Sequence, residues 1–173
     1  MLSLYNGVVS EKIVIDLTEN IANVGQTLPF VGEYVLDNDL LSYPNATLNK
    51  VKVDFDVTFL NTDVNVCGTV TCCIQGYCDR CLTRVDKEIE LQFDQTFCKD
   101  EAENEDDYVY STSLLDATKA VSDEIVLSMP SLLLCNDDCK GLCPKCGTNL
   151  NEKRCNCDTA RENPFSALKN LKF

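Results

Sequence analysis

VKVDFDVTFLNTDVNVCGTVTCCIQGYCDRCLTRVDKEIELQFDQTF, residues 51–97, is the stretch that decides the fold. Val51, Val53, Phe55, Val57 and Phe59 alternate with Lys52, Asp54, Asp56 and Thr58, the two-residue period of a strand with one face in a core. Asn61-Thr62-Asp63 reads as a polar turn. Beyond it Val64, Val66, Val70, Cys72 and Ile74 share one parity, with Gly68 interrupting the row as a candidate bulge. After a turn over residues 76–82, Ile89, Leu91, Phe93 and Phe97 alternate with Glu88, Glu90, Gln92 and Asp94. Three consecutive strands joined by short turns predict an antiparallel meander over about 51–98.

Outward from the meander the pattern changes. Residues 100–107, DEAENEDD, carry almost nothing but acids, so a solvated acidic loop is expected over 99–111. From Leu114 the spacing becomes helical: Leu114, Ala117, Val121, Ile125 and Met129 fall on one face, and Pro130 stops the run. This predicts one amphipathic helix packed on the sheet. Upstream, residues 12–17 read as a strand, while Gly25, Pro29, Gly32 and Pro44 limit the rest of the first 50 residues to short strands and turns. Asn163-Pro164 reads as the cap and first position of a short C-terminal helix bearing Phe165, Leu168 and Leu171. The expected class is α+β: a sheet-and-helix domain over 1–134, then a Cys-rich lobe over 135–173.

Twelve cysteines in 173 residues need an explanation. The start, MLSLYNGVVSEK, shows no export pattern, and no run of 18 apolar residues occurs, so a soluble, cytoplasmic protein is expected. In a reducing compartment such cysteines read as metal ligands or dithiols rather than disulfides. Cys67, Cys72, Cys73 and Cys98 sit inside strand patterns, and Cys72 is expected in the core as a small apolar residue. The other eight fall in non-periodic segments as Cys78-x2-Cys81, Cys135-x3-Cys139, Cys143-x2-Cys146 and Cys155-x-Cys157.

A Cys-x-x-Cys turn lets two sulfurs meet one zinc ion at about 2.3 Å. In Cys143-Pro144-Lys145-Cys146-Gly147 the glycine permits the positive φ that such a turn favours. Cys143, Cys146, Cys155 and Cys157 then form a local, ribbon-like site. Cys78, Cys81, Cys135 and Cys139 form a second one, closing a long loop, although Cys139 and Cys143 are close enough in sequence to exchange roles. Two structural zinc ions, with four thiolates each, are the expected cofactors. Arg80 and Lys145 inside the two turns keep a thiol-redox reading open, because a neighbouring cation lowers a thiol pKa.

The formal net charge is −13, with no histidine. Residues 1–134 hold 8 basic and 23 acidic side chains, and residues 135–173 hold 7 and 5. This disfavours binding to bare phosphate backbones, which draws on Lys and Arg, and points to a basic protein partner. An RNA contact would use Lys140, Lys145, Lys153 and Arg154. Catalytic zinc keeps an open position and commonly uses histidine, and no phosphate loop, nucleophile elbow or dinucleotide fingerprint occurs. No enzyme, small-molecule substrate or membrane partner is expected.

The string Asp123-Glu124-Ile125-Val126-Leu127-Ser128-Met129-Pro130, then Leu134-Cys135, CKGLCPKCGTNLN and CNC, resembles the YceD-like family of large ribosomal RNA subunit accumulation proteins. Cys78-Asp79-Arg80-Cys81-Leu82 and Asn163-Pro164-Phe165-Ser166-Ala167-Leu168 are similar to that family too. The resemblance spans about residues 50–173. It implies a bacterial or organellar ribosome-biogenesis factor that is not a catalyst. Its implied partners are a basic ribosomal protein or a large-subunit precursor particle. Relatives that lack the CPKC ribbon while keeping the first Cys-x-x-Cys imply that the two cysteine sets are separable. A redox sensor or redox-controlled chaperone, and an RNA-binding zinc ribbon, are the competing classes.

Overall fold

The computed structural model describes residues 11–18, 24–36, 46–100 and 107–157. The chain forms two compact units, one of Met1–Gly76 with Val85–Ser131 and the other of Tyr77–Arg84 with Leu132–Phe173.

The first unit is dominated by sheet. Its strands are β1 (Val14–Asp16), β2 (Thr27–Tyr34), β3 (Ala46–Leu60), β4 (Asp63–Tyr77), β5 (Arg84–Lys99), β6 (Tyr108–Tyr110) and β7 (Leu114–Asp116), followed by helix α1 (Thr118–Ser128). Five strands hydrogen-bond in the order β2-β3-β4-β5-β6, and β1 pairs with β7 in a separate two-stranded sheet. The meander expected over 51–98 is β3, β4 and β5. β3 and β4 run antiparallel, with Leu60 opposite Asp63 across a two-residue turn. The short connection from β4 to β5 permits only an antiparallel pair, and the Asn65 amide reaches Asp94 and Thr96 on β5.

The alternation in sequence is the alternation in burial. Val51, Val53, Phe55, Val57 and Phe59 of β3 are buried, as are Val64, Val66, Val70, Cys72 and Ile74 of β4 and Leu91, Phe93 and Phe97 of β5. Gly68 proves not to be a bulge: it pairs in register with Phe55, and the shift in register lies between Leu48 and Val51 instead. A Cβ at Gly68, whose φ is 151°, would stand 2.0 Å from the Asp54 carbonyl oxygen. The glycine thus answers a close approach of the β3 main chain, and Phe55, opposite it, stacks on Phe93 with ring centroids 4.9 Å apart. Such a pair adds about 0.5–1.5 kcal/mol beyond its buried area.

Other expectations change as well. The helix begins at Thr118, because Leu114–Asp116 is a strand held by β1. There Leu115 is buried and Leu114 exposed, the reverse of a helical face starting at Leu114. Asp116 Oδ1 accepts the Thr118 N–H, and Thr118 Oγ1 accepts the Ile13 N–H, so this corner is built from side-chain oxygens. The acidic loop expected over 99–111 contains β6, which runs parallel to the end of β5, and residues 101–106 lie outside the described residues. Tyr110 is buried and donates from its hydroxyl to the Thr62 carbonyl at 2.7 Å.

In the first 50 residues β2 is an eight-residue strand despite Pro29 and Gly32. It is the last strand of its sheet, where a proline forfeits no ladder bond. The α+β expectation therefore becomes a sheet-dominated unit with one helix among the described residues. That helix buries Ala120, Val121, Ser122 and Ile125, and its C-cap Met129 turns extended before Pro130. The short helix expected at 163–171 lies outside the described residues. No helix is long and apolar enough to cross a membrane among the described residues.

Candidate metal centre

Among the described residues, the second unit has almost no apolar core. Its buried side chains, among the described residues, are Leu133 and four cysteines, Cys78, Cys81, Cys139 and Cys143. Its regular structure among the described residues is one isolated antiparallel bridge, Leu142 with Asn149. Something other than apolar burial must hold it, because a segment this small cannot offset the entropy of ordering its chain.

Sulfur occupies the place of the core. Cys78, Cys81, Cys135 and Cys139 form one group and Cys143, Cys146, Cys155 and Cys157 another, each with its four sulfurs within 4.8 Å of one another. All eight cysteines singled out in the sequence are thus brought together, and Cys139 groups with Cys78 rather than with Cys143. The Cys78 and Cys139 sulfurs lie 3.7 Å apart and those of Cys81 and Cys135 3.5 Å apart. A disulfide needs about 2.05 Å, whereas a tetrahedron with 2.3 Å bonds has edges of about 3.8 Å. Either group could hold a metal ion. Cys67, Cys72, Cys73 and Cys98 belong to neither.

The two Cys-x-x-Cys turns are wired alike. The Cys78 N–H donates to the Thr83 carbonyl and the Leu82 N–H returns to Cys78 O. Likewise the Cys143 N–H donates to Thr148 O and the Gly147 N–H returns to Cys143 O. The residue after the second cysteine is left-handed in both, with φ 59° at Leu82 and 70° at Gly147. A threonine closes each turn. The Cys81 thiol donates to Thr83 Oγ1 at 3.2 Å, and Cys146 Sγ lies 3.1 Å from Thr148 Oγ1. The shared pattern Cys-x-x-Cys-x-Thr, CDRCLT against CPKCGT, was present in the sequence, but attention to sulfur alone passes over the threonines.

Other residues that the spacing of cysteines did not single out lock the turns in place. The Asp79 N–H donates to Leu133 O, and Asp79 Oδ2 accepts the Leu133 N–H. The Arg80 guanidinium donates to the Cys139 carbonyl at 3.0 Å, and Arg80 O accepts the Leu142 N–H. Gly141, at φ 72°, packs so closely that a Cβ there would meet Arg80 O at 3.0 Å. Asn151, between the two halves of the second group, donates from Nδ2 to Cys139 Sγ at 3.3 Å and accepts the Lys140 N–H on Oδ1.

The protonation pattern follows from these contacts. Burial raises the Cys78 thiol, but the main-chain N–H groups of Cys135, Arg80 and Cys81 outweigh it and bring Cys78 down to about 6. Cys135 is pushed up to about 12, chiefly by keeping its proton in bonds to the Cys81 and Cys139 sulfurs. In the second group the Thr148 hydroxyl and N–H bring Cys146 down to about 6, while the bond to Cys146 pushes Cys157 up to about 12. Within each group the sulfurs thus oppose one another, since contacts that favour the thiolate at Cys78, Cys139 and Cys146 favour the thiol at Cys135 and Cys157. Four adjacent thiolates require a cation among them, which is the chemistry of an all-cysteine metal site.

A family model described as Large ribosomal RNA subunit accumulation protein YceD matches residues 66–172. The chain is 28% identical over 169 residues to the Arabidopsis thaliana chloroplastic protein named Large ribosomal RNA subunit accumulation protein YCED homolog 1, covering 78% of this chain and 51% of that one. It is 31% identical over 106 residues to an uncharacterised protein of Mycobacterium leprae, covering 58% and 49%. An uncharacterised Mycobacterium tuberculosis protein is 31% identical over 104 residues, covering 57% and 50%. The chain spans about half the length of these curated relatives. No solved structure matches it.

Proposed function

Because this chain belongs to the YceD family of large ribosomal RNA subunit accumulation proteins, we propose that it is a non-enzymatic, cytoplasmic factor in large-subunit biogenesis that acts by binding, with two structural zinc ions. The observation that carries the zinc reading is a folded unit whose buried side chains, among the described residues, are four cysteines and one leucine. Zinc, when bound, supplies the cross-links. Apparent zinc-binding free energies of about 10–16 kcal/mol exceed the stability of many whole domains, so two ions suffice to order a segment with so few buried apolar side chains among the described residues. Cys78, Cys81, Cys135 and Cys139 hold one, and Cys143, Cys146, Cys155 and Cys157 the other. Four cysteines per ion leave no position for a substrate or water, which supports a role in architecture.

The net charge of −13 favours a basic ribosomal protein as the direct partner, within a large-subunit precursor particle. The redox alternative loses support at Arg80, whose guanidinium is engaged by the Cys139 carbonyl. An RNA contact through Lys140, Lys145, Lys153 and Arg154, all exposed, is the other alternative. Native mass spectrometry of freshly purified protein is expected to show two zinc ions, and sedimentation of cell extracts to place the chain with large-subunit precursors. A metal-free folded protein overturns the zinc reading, and a chain confined to the soluble fraction overturns the ribosomal one.

A further inference from the structure

β5 is a 16-residue strand, yet β6 pairs only with its last three residues, Phe97, Cys98 and Lys99. Among the described residues no strand covers the outer side of β5 along residues 87–96. At about 3.3 Å per residue this leaves roughly 30 Å of main chain whose outward N–H and C=O groups can accept another strand. The segment is firmly placed, because Leu91 and Phe93 anchor its inner row in the core. Its outer row, Glu88, Glu90, Gln92, Asp94 and Thr96, is exposed and carries three carboxylates in alternation.

Charge selects the occupant. A second copy of β5 would set carboxylates against carboxylates on a chain of net charge −13, and like charges facing each other across strands are destabilising. A strand with lysine or arginine at every other position would instead set its cations beside Glu88, Glu90 and Asp94, while its alternate residues extend the apolar row. The opposite edge is less receptive, because Pro29 on β2 has no N–H to offer. We propose that the outer edge of β5 is the docking strand for an extended, basic segment of a protein partner, bound by β-strand addition. This deepens the ribosomal reading and rests on it only for the partner's origin.

The test uses the full zinc-loaded chain and a ten-residue peptide alternating lysine with valine, with an alternating glutamate–valine peptide as control. The lysine peptide is expected to bind, to slow amide hydrogen exchange over residues 87–96, and to lose at least tenfold in affinity to E88K/E90K. The E88Q/E90Q variant, which keeps shape and removes charge, is expected to fall between. Circular dichroism and zinc content should match wild type in both variants. Protection elsewhere, equal affinity for both peptides, or protection in the free chain of those amides of residues 87–96 that face away from β4 would each overturn the proposal. The last result would mean that the edge is already filled in the free protein. If wild type and E88K/E90K co-sediment equally with large-subunit precursors, the edge assignment fails while the ribosomal reading stands. If the peptide binds as described and wild type does not co-sediment, the reverse holds.

Discussion

Three left-handed positions in the second unit, Leu82, Gly141 and Gly147, give a graded test of how that unit is held. Their φ values are 59°, 72° and 70°, so backbone conformation is nearly constant and surroundings differ. A side chain in this region costs about 1–2 kcal/mol, of which about 0.4–1 kcal/mol is recovered because the unfolded chain loses freedom. Gly147→Ala meets nothing within 4 Å, so it should cost only the net strain, about 1 kcal/mol. Gly141→Ala adds a 3.0 Å contact to Arg80 O, the acceptor of the Leu142 N–H. Displacing that carbonyl endangers a hydrogen bond worth about 1 kcal/mol, for a total of about 2 kcal/mol or more. Leu82→Gly runs the other way. Leu82 is 63% exposed, so its removal sacrifices little burial and should gain about 0.5–1 kcal/mol. Because folding of this unit is linked to metal binding, the changes appear in competition with a zinc chelator at tenfold per 1.4 kcal/mol. Gly141→Ala should weaken retention by tens of fold, Gly147→Ala by about fivefold, and Leu82→Gly should strengthen it. Equal losses for the two alanine variants, or weaker retention in Leu82→Gly, would refute the reasoning.

Thr83→Val and Thr148→Val each remove the hydroxyl beside a second-cysteine sulfur. The Thr148 hydroxyl can donate to the Cys146 sulfur, and a bond to a charged acceptor is worth about 1.5–3 kcal/mol, so Thr148→Val should release zinc at least tenfold more readily to a chelator, whereas Thr83→Val, which removes an acceptor of the Cys81 thiol, should cost less. Asn151→Ala removes the Nδ2 donor to Cys139 Sγ. It should accelerate loss of the ion held by Cys78, Cys81, Cys135 and Cys139, although Asn151 lies in sequence within the other set, as single-cysteine variants read by native mass spectrometry would reveal. Burial pushes the Cys72 thiol up to about 11, so iodoacetamide at pH 8 should leave Cys72 unmodified in the native protein and alkylate it once denaturant is added. Phe93→Ala empties a site 1% exposed and removes the stack on Phe55. A loss of about 3–5 kcal/mol, seen as a large fall in denaturant midpoint, is expected.

The meander was legible because strands with one buried face write their register into the sequence. Each residue of the row from Val51 to Phe59 reports its own side of the sheet. Leu114 misled for the converse reason: it falls at a spacing that suits the helix face, and only pairing with Val14–Asp16, a hundred residues away, assigns it to a strand. β2 was hidden by Pro29 and Gly32, residues that argue against a central strand and are harmless at an edge. Gly68 looked like a bulge because a missing side chain in an apolar row is locally indistinguishable from one. Its cause is the close approach of the β3 main chain at Asp54 and Phe55, which sequence spacing does not show.

The cysteine groups were legible for a different reason, since ligand spacing is short-range and residue-specific. What spacing could not supply is the degree to which the two groups depend on each other. Treated as separable, the second set is an addition to the first. In this chain hydrogen bonds join the two sets: Asn151 reaches Cys139, Leu150 N–H donates to Gly141 O, and Leu142 N–H donates to Arg80 O. Gly141 and Leu142 therefore stand between one sulfur group and the other, bonded to both sides. A chain lacking the second group would need another donor for the Cys139 sulfur and another brace for Arg80. The unit is better understood as two similar Cys-x-x-Cys-x-Thr turns sharing the segment from Cys139 to Cys143, with each turn supplying part of the other's support.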